Sequence, residues 1–342
     1  MILDKIYFLV PFLRVFAQFF VFVYLLIMPS RANIWAQSLT NDSTAHVSFL
    51  QYAPKPQKGR IIGVSAIGGI GYSAGMLAVS RLWYAQYPQT SFHFFNDNIG
   101  WLQIDKVGHG WTAYNEALLA ARLYRWAGVK PNTSAWIGFG LGNLFQGGIE
   151  VLDGYSVGWG ASTGDLIANV SGTGLMLGQE LWWHEQRIAF KYSSRKPVYT
   201  NYPLAVQNRA IDLYGSTLGE RLLKDYNGQS YWLSANPSAF MRRRPAGFPQ
   251  WLNVAVGYGA EGMLGAERNT WTSPTDSTKT LNYSYIPRVR QYYLSLDVDF
   301  TRIPTRSRWL KMLFLGLNTL KVPAPTLEYN SRDKFVFHPV YW

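Results

Sequence analysis

The chain of 342 residues contains no cysteine. That excludes a disulfide framework, thiolate metal ligands, a cysteine nucleophile and acylation at a lipoprotein cysteine. Charge is scarce as well: 15% of residues are Asp, Glu, Lys or Arg, against about a quarter in soluble domains. Phosphate-binding loops are missing. Gly68-Gly69-Ile70-Gly71 has neither the spacing nor the Lys-Ser/Thr of a nucleotide loop, and Gly138-Phe139-Gly140-Leu141-Gly142 falls within a helical pattern where close packing explains it. Gly215-Ser216 lacks the flanking glycines of a hydrolase nucleophile elbow. Neither an internal repeat nor a low-complexity tract is present.

What is abundant is aromatic and small: 16% Phe, Trp and Tyr, and 31 glycines. Amphipathic rings with few charges suit a protein that meets a lipid interface; a large aromatic core in a soluble protein is the competing reading. The net charge is +12, but apart from Arg242-Arg243-Arg244 the basic residues are scattered. No nucleic-acid module accompanies them, so the expected partner is anionic membrane lipid or lipopolysaccharide, with an envelope protein complex as a further partner.

Lys5 and Arg14 precede an apolar run from Val15 to Met28, and small residues follow through Ala36. This order describes a secretory signal over residues 1–36, cleaved after Ala36. The alternative is an uncleaved anchor over Ile6–Met28, although Arg14 and Gln18 interrupt it. Residues 37–60 form a polar lead-in. The expected location is therefore the cell envelope, at the outer membrane or its periplasmic face.

Residues 61–84 are apolar with small residues every three or four positions, and Tyr87-Pro88 closes them. Start and stop signals predict helices over 104–127, 133–152 and 163–187, with Asn132-Thr133-Ser134 and Ser162 as capping candidates, and a further helix over Leu204–Lys224. After Pro249 the period shifts to two. Leu252, Val254, Val256 and Tyr258 form one alternating set, and Tyr292, Leu294, Leu296, Val298 and Phe300 another, on half-buried or lipid-facing strands. Ser307 opens a short amphipathic helix, and Lys334–Trp342 is a last strand ending on an aromatic. Three or four strands are too few for a closed barrel, which needs about eight. The expected fold is α+β: a packed, glycine-rich helical bundle over 61–195, then a small antiparallel sheet with an amphipathic helix over 196–342.

Three of the predicted helices each carry a polar pair on one face: Asp105 and His109, Glu150 and Asp153, Asp165 and Asn169. Buried ionisable groups must pair, bind a metal or line a wet cleft. Three readings stay open. One is a salt-bridge and capping network, with Lys106 on a carboxylate, Asp165 capping its helix and His109 donating to Glu150. Another is a hydrolytic or lipid-modifying site of Asp105, His109, Glu150, Asp153 and Asp165. The third is a metal held by His109, Glu150 and Asp153. The pattern specifies no cofactor. His46, His93 and His338 have no partner set of this kind.

Asp-Lys-x-x-His at 105–109, Glu-x-x-Asp at 150–153 and Ser-x-x-Asp at 162–165 before a glycine-spaced helix resemble the YfiM-like bacterial envelope lipoprotein family. A more distant similarity is to VanZ-like membrane proteins. The resemblance covers roughly residues 103–185, and the family's lipoprotein cysteine is missing. It implies an envelope location and a compact helical unit without implying an activity. The expectation is a structural or accessory envelope component associated with the outer membrane, the alternative a hydrolase or transferase acting on lipid or cell-wall headgroups.

Overall fold

The computed structural model describes residues 51–84, 88–243 and 245–342. The expected leader, its expected cleavage point and the alternative anchor lie outside the described residues. The fold is α+β. Helix α1 (Lys58–Val79) leads to a wide turn at Ser80–Tyr84; α2 (Ile104–Trp126), α3 (Pro131–Gly154) and α4 (Thr163–Trp183) then form a bundle. A six-stranded antiparallel sheet follows in the order β1 (Ile188–Ser194), β2 (Gln229–Ala235), β3 (Leu252–Glu261), β6 (Val289–Val298), β7 (Ala324–Asn330) and β8 (Lys334–Tyr341). The hairpin β4 (Thr270–Ser273) and β5 (Asp276–Asn282) stands apart as a second, two-stranded sheet. Short helices α5 (Leu204–Tyr214), α6 (Leu218–Lys224), α7 (Pro237–Phe240) and α8 (Arg308–Leu317) fill the connections.

Glycine sets how closely the bundle packs. A Cβ on Gly138 would lie 2.3 Å from the Ala117 carbonyl oxygen, and one on Gly172 would lie 2.0 Å from that of Gly110. The helix backbones therefore touch where larger side chains would hold them apart. Around these contacts Tyr114, Ala117, Leu118, Ala121, Met176 and Leu177 make the core. Helix α1 has no buried residue and is long and apolar enough to cross a membrane. It leans on the bundle through a 2.8 Å hydrogen bond between Ser65 and Tyr124 and the stacking of Tyr72 on Phe145.

Several boundaries differ from the sequence reading. The helix expected over Leu204–Lys224 is two helices, because Gly215 takes φ 78° and Thr217 begins again with a capping box to Glu220. Lys130, with Pro131 in the first helical position, starts α3 in place of the expected cap at 132–134. Helix α4 stops at Trp183 because His184 is left-handed, φ 54°. Ser162 and Ser307 do cap α4 and α8, accepting from the amides of Asp165 and Leu310.

The sheet is larger than expected, and its aliphatic residues face outward, as on the lipid-facing alternative. Along β6, Gln291, Tyr293, Ser295 and Asp297 are buried while Tyr292, Leu294 and Leu296 are exposed. Register extends this across the strands. Leu233, Val256, Leu294, Leu327 and Phe337 pair in sequence on β2, β3, β6, β7 and β8, and each is 40–64% exposed. The neighbouring row is aromatic throughout: Tyr192, Tyr231, Tyr258, Tyr292, Tyr329 and Phe335 pair from β1 to β8. Helix α2 covers the β1–β2 end of this outer face, where Tyr231 and Tyr192 meet Trp111.

The inner face encloses polar groups because the sheet curls upon itself. Tyr192 on β1 exchanges backbone hydrogen bonds with Thr319 and Lys321, just ahead of β7. Inside the curl, Lys191 lies 2.8 Å from Asp297 with both side chains fully buried. Trp232, Tyr293 and Tyr341 pack beside them. His338, read from sequence as having no partner, sits 2.8 Å from Glu328.

Candidate functional site

The polar positions of the three bundle helices meet at one end of the bundle. The segment entering α2 sets that end: Trp101, Leu102 and Gln103 are all left-handed, with φ of 48°, 51° and 63°. Each such residue costs about 1–2 kcal/mol, so the turn must be held from outside. The Trp101 amide donates to Ala266 at 2.7 Å, Arg290 donates to Gln103 at 2.8 Å, and the Tyr258 hydroxyl donates to the Leu102 carbonyl. The sheet thus holds the start of the helix that carries Asp105, Lys106 and His109.

Lys106 is the centre of one half of the site. Its Nζ lies 2.8 Å from Asp97, 3.0 Å from Asp165 and 3.4 Å from Asp105. Gly164 makes room for it, since a Cβ there would be 2.8 Å from Lys106 Cε and 2.1 Å from Asn98. Desolvation works against the ammonium, but Asp105, Asp97 and Asp165 outweigh it and raise its pKa above the ordinary lysine value. Asp97 is likewise pushed up by burial, yet hydrogen bonds from Lys106 and Ser162 hold it below the usual carboxylate range. Asp105 holds Lys106 only at the longer 3.4 Å, and burial raises it to about 6.

His109, Glu150 and Asp165 form the other half. One potential ligand atom from each lies within 4.8 Å of the others. His109 Nδ1 is 3.3 Å from Asn169 Oδ1 and 3.7 Å from Glu150 Oε1. The expected His109–Glu150 hydrogen bond is therefore replaced by a contact to Asn169, because Asn169 lies one turn beyond Asp165 on the inward face of α4. The Ser162 amide donates to Glu150 Oε2 at 2.9 Å, and its hydroxyl donates to Asp97 at 2.6 Å. Among the described residues, Glu150 Oε1 accepts no hydrogen bond. Burial raises Glu150 to about 8, with Asp165 and Asp153 repelling its charge, and lowers His109.

Asp153 does not join His109 and Glu150 as the sequence suggested. It accepts a 2.7 Å hydrogen bond from Tyr84, and burial raises it to about 7. One helical turn separates it from Glu150, and the turn after α1 carries Tyr84 to it first. One member of the site, Asp97, and one buried carboxyl apart from it, Glu116, escape the sequence reading. Asp97 read as part of an Asn-Asp-Asn turn, and nothing local says that its loop folds over Ser162. Glu116 lies seven residues after His109, on the same helix face, and that spacing could have revealed it. It accepts from Gln146 at 2.8 Å in a groove of about 370 Å³ between α1 and the bundle.

Burial raises the Glu116 carboxyl from 4.5 to about 7. The folded chain holds this proton more tightly than the unfolded chain does. The stability that Glu116 contributes is therefore full below about pH 4.5 and is lost as pH rises through about 7. Glu116→Gln is expected to flatten the fall in unfolding free energy over this window by up to one proton's slope, about 1.4 kcal/mol per pH unit. An unchanged slope in pH-dependent denaturation would mean that Glu116 is ionised in the fold.

Comparison with protein-family models, curated proteins and solved structures finds no match to this chain, so function is inferred from the geometry of the site and of the sheet.

Proposed function

We propose that this chain is an exported cell-envelope protein, seated in the outer membrane by the outer face of its sheet and acting there as a structural or accessory component. The outward-facing aliphatic residues of the sheet carry the reading. Water-soluble sheets put aliphatic rows inward; lipid-facing sheets put them outward, with an aromatic girdle at the interface. Here a Leu/Val/Phe row lies beside an all-aromatic row, and an ion pair is sealed inside. Charge resumes at Arg290, just past the girdle. From Tyr292 to Val298 the outward apolar band runs about 20 Å along the strand, less than a bilayer core of about 30 Å. This length fits insertion into one leaflet. The exposed apolar side chains of α8, including Trp309 and Leu313, add to the same character.

Flotation with phosphatidylethanolamine–phosphatidylglycerol vesicles tests this. The wild-type chain is expected to float. Replacing Leu294 and Leu327 together by Lys is expected to lower partitioning at least about tenfold, since a charge at a lipid-facing position costs about 2–4 kcal/mol. A folded wild-type chain that stays in the unbound fraction without detergent overturns the proposal.

A hydrolase or transferase acting on lipid or cell-wall headgroups is a second reading. What favours it is the unpaired Glu150 Oε1 beside His109, with a raised carboxyl suited to general acid–base work. It requires turnover of a lipid ester or phosphodiester by the wild-type chain that Glu150→Gln abolishes without unfolding. Equal turnover by both chains would remove it.

A further inference from the structure

We propose that the crossing of α2, α3 and α4 binds one divalent transition cation, Zn²⁺ or Mn²⁺, through His109 Nδ1, Glu150 Oε1, an Asp165 carboxylate oxygen and Asn169 Oδ1. The inference stands apart from the lipid-facing reading of the sheet and holds whether or not that reading survives.

Three observations carry it. The first is convergence from three different helices: a ligand atom from each of His109, Glu150 and Asp165 lies within 4.8 Å of the others. The second is spacing. Ligands about 2.0–2.1 Å from a tetrahedral ion sit about 3.4 Å from one another. His109 Nδ1 stands 3.3 Å from Asn169 Oδ1 and 3.7 Å from Glu150 Oε1. Both distances are longer than the usual N–H···O bond of about 2.9 Å, and both match the edge of such a shell.

The third is the unpaired atom. Glu150 is 3% exposed, its Oε2 is satisfied by the Ser162 amide, and its Oε1 has no hydrogen-bond partner among the described residues. An oxygen buried in this way lacks either a donor or an ion. Asn169, 2% exposed, has an amide nitrogen that is also unpaired among the described residues. Among the described residues, His109 is the one hydrogen-bond partner of its side chain.

The charge balance points the same way. Among the described residues Glu150 has no ion-pair partner other than His109. Lys106 already occupies the space between Asp97, Asp105 and Asp165. That acidic group is therefore filled by the chain itself, which leaves the convergent set around His109. One imidazole nitrogen with three oxygens suits zinc or manganese better than magnesium or calcium, which take oxygen alone.

The test uses the full chain, stripped with chelator in detergent micelles, dialysed against Zn²⁺ or Mn²⁺ and assayed by elemental analysis and thermal unfolding. One ion per chain and a higher melting midpoint are expected. Glu150→Gln should weaken binding more than about 100-fold, because loss of an outer-shell partner alone costs about 10–100-fold. Asp153→Asn, whose carboxylate faces Tyr84, should leave binding within about twofold of wild type. If Glu150→Gln does not fold, Asn169→Asp retains the ligand oxygen, adds a negative charge and should bind at least about tenfold more tightly. Failure of the folded wild-type chain to retain either ion overturns the proposal, as does Asn169→Asp binding no more tightly than wild type.

Discussion

Gly172→Ala is expected to destabilise the chain by about 3 kcal/mol or more, at the upper end of overpacking effects. The added methyl would lie 2.0 Å from the Gly110 carbonyl oxygen and 3.0 Å from its Cα. Neither atom belongs to a side chain that can rotate away, so α2 and α4 must separate. That movement also pulls His109 from Asn169, because both lie within one turn of the contact. Gly174, two residues further along α4, has nothing within 4 Å of its Cβ position. Gly174→Ala should be neutral or stabilising by up to about 1 kcal/mol through helix propensity. Unfolding followed by circular dichroism distinguishes the pair, and equal stabilities for the two variants would mean that the helices do not touch there.

Lys191→Met is expected to cost about 3–5 kcal/mol, which is typical of breaking a buried ion pair from one side. Such a loss is a large share of the 5–15 kcal/mol that holds a domain together. Asp297 would keep hydrogen bonds from Ser234 at 2.6 Å and from the Val322 amide at 3.0 Å, but would lose its only ion-pair partner among the described residues. The double change Lys191→Met with Asp297→Leu should recover much of the loss, since apolar replacement of a whole buried pair is often near neutral. Recovery should be incomplete, because Ser234 and the Val322 amide lose their acceptor. A double-mutant cycle reads the coupling directly. Coupling below about 0.5 kcal/mol would mean that water reaches the pair and the sheet is less curled than described.

These two positions show how unevenly the sequence discloses the structure. The helix starts at Ser162 and Ser307 were legible because a cap is local: a hydroxyl accepts from an amide three residues on, whatever packs around it. The polar stripe of α2 was legible for the same reason, since residues four apart share a face. Strands β1, β2, β4, β5 and β7 are not legible in the sequence. In β2 six of seven residues are buried or nearly so, on both faces, and a strand covered on both sides shows no alternation to read.

The residues of the candidate site were legible as a group, but their pairing was not. Asp105, His109, Glu150 and Asp165 do meet. Asp153 turns to Tyr84, and Asp97 enters from a loop, because those choices depend on how the chain returns after α1 and before α2. Local periodicity carries no information about a partner 60 or 70 residues away.

By itself the sequence determined the chemistry of each face: helices with inward polar pairs, glycines at their crossings, and strands alternating between aliphatic and polar. Period two defines two faces on a strand without saying which is buried. Only the tertiary structure decided that. The first strand returns to the segment ahead of β7, the sheet curls, and its polar face is enclosed around Lys191 and Asp297 while the aliphatic and aromatic rows are left outside. The enclosed groups can satisfy one another there, whereas carbon side chains on the outer face have no hydrogen bonds to lose.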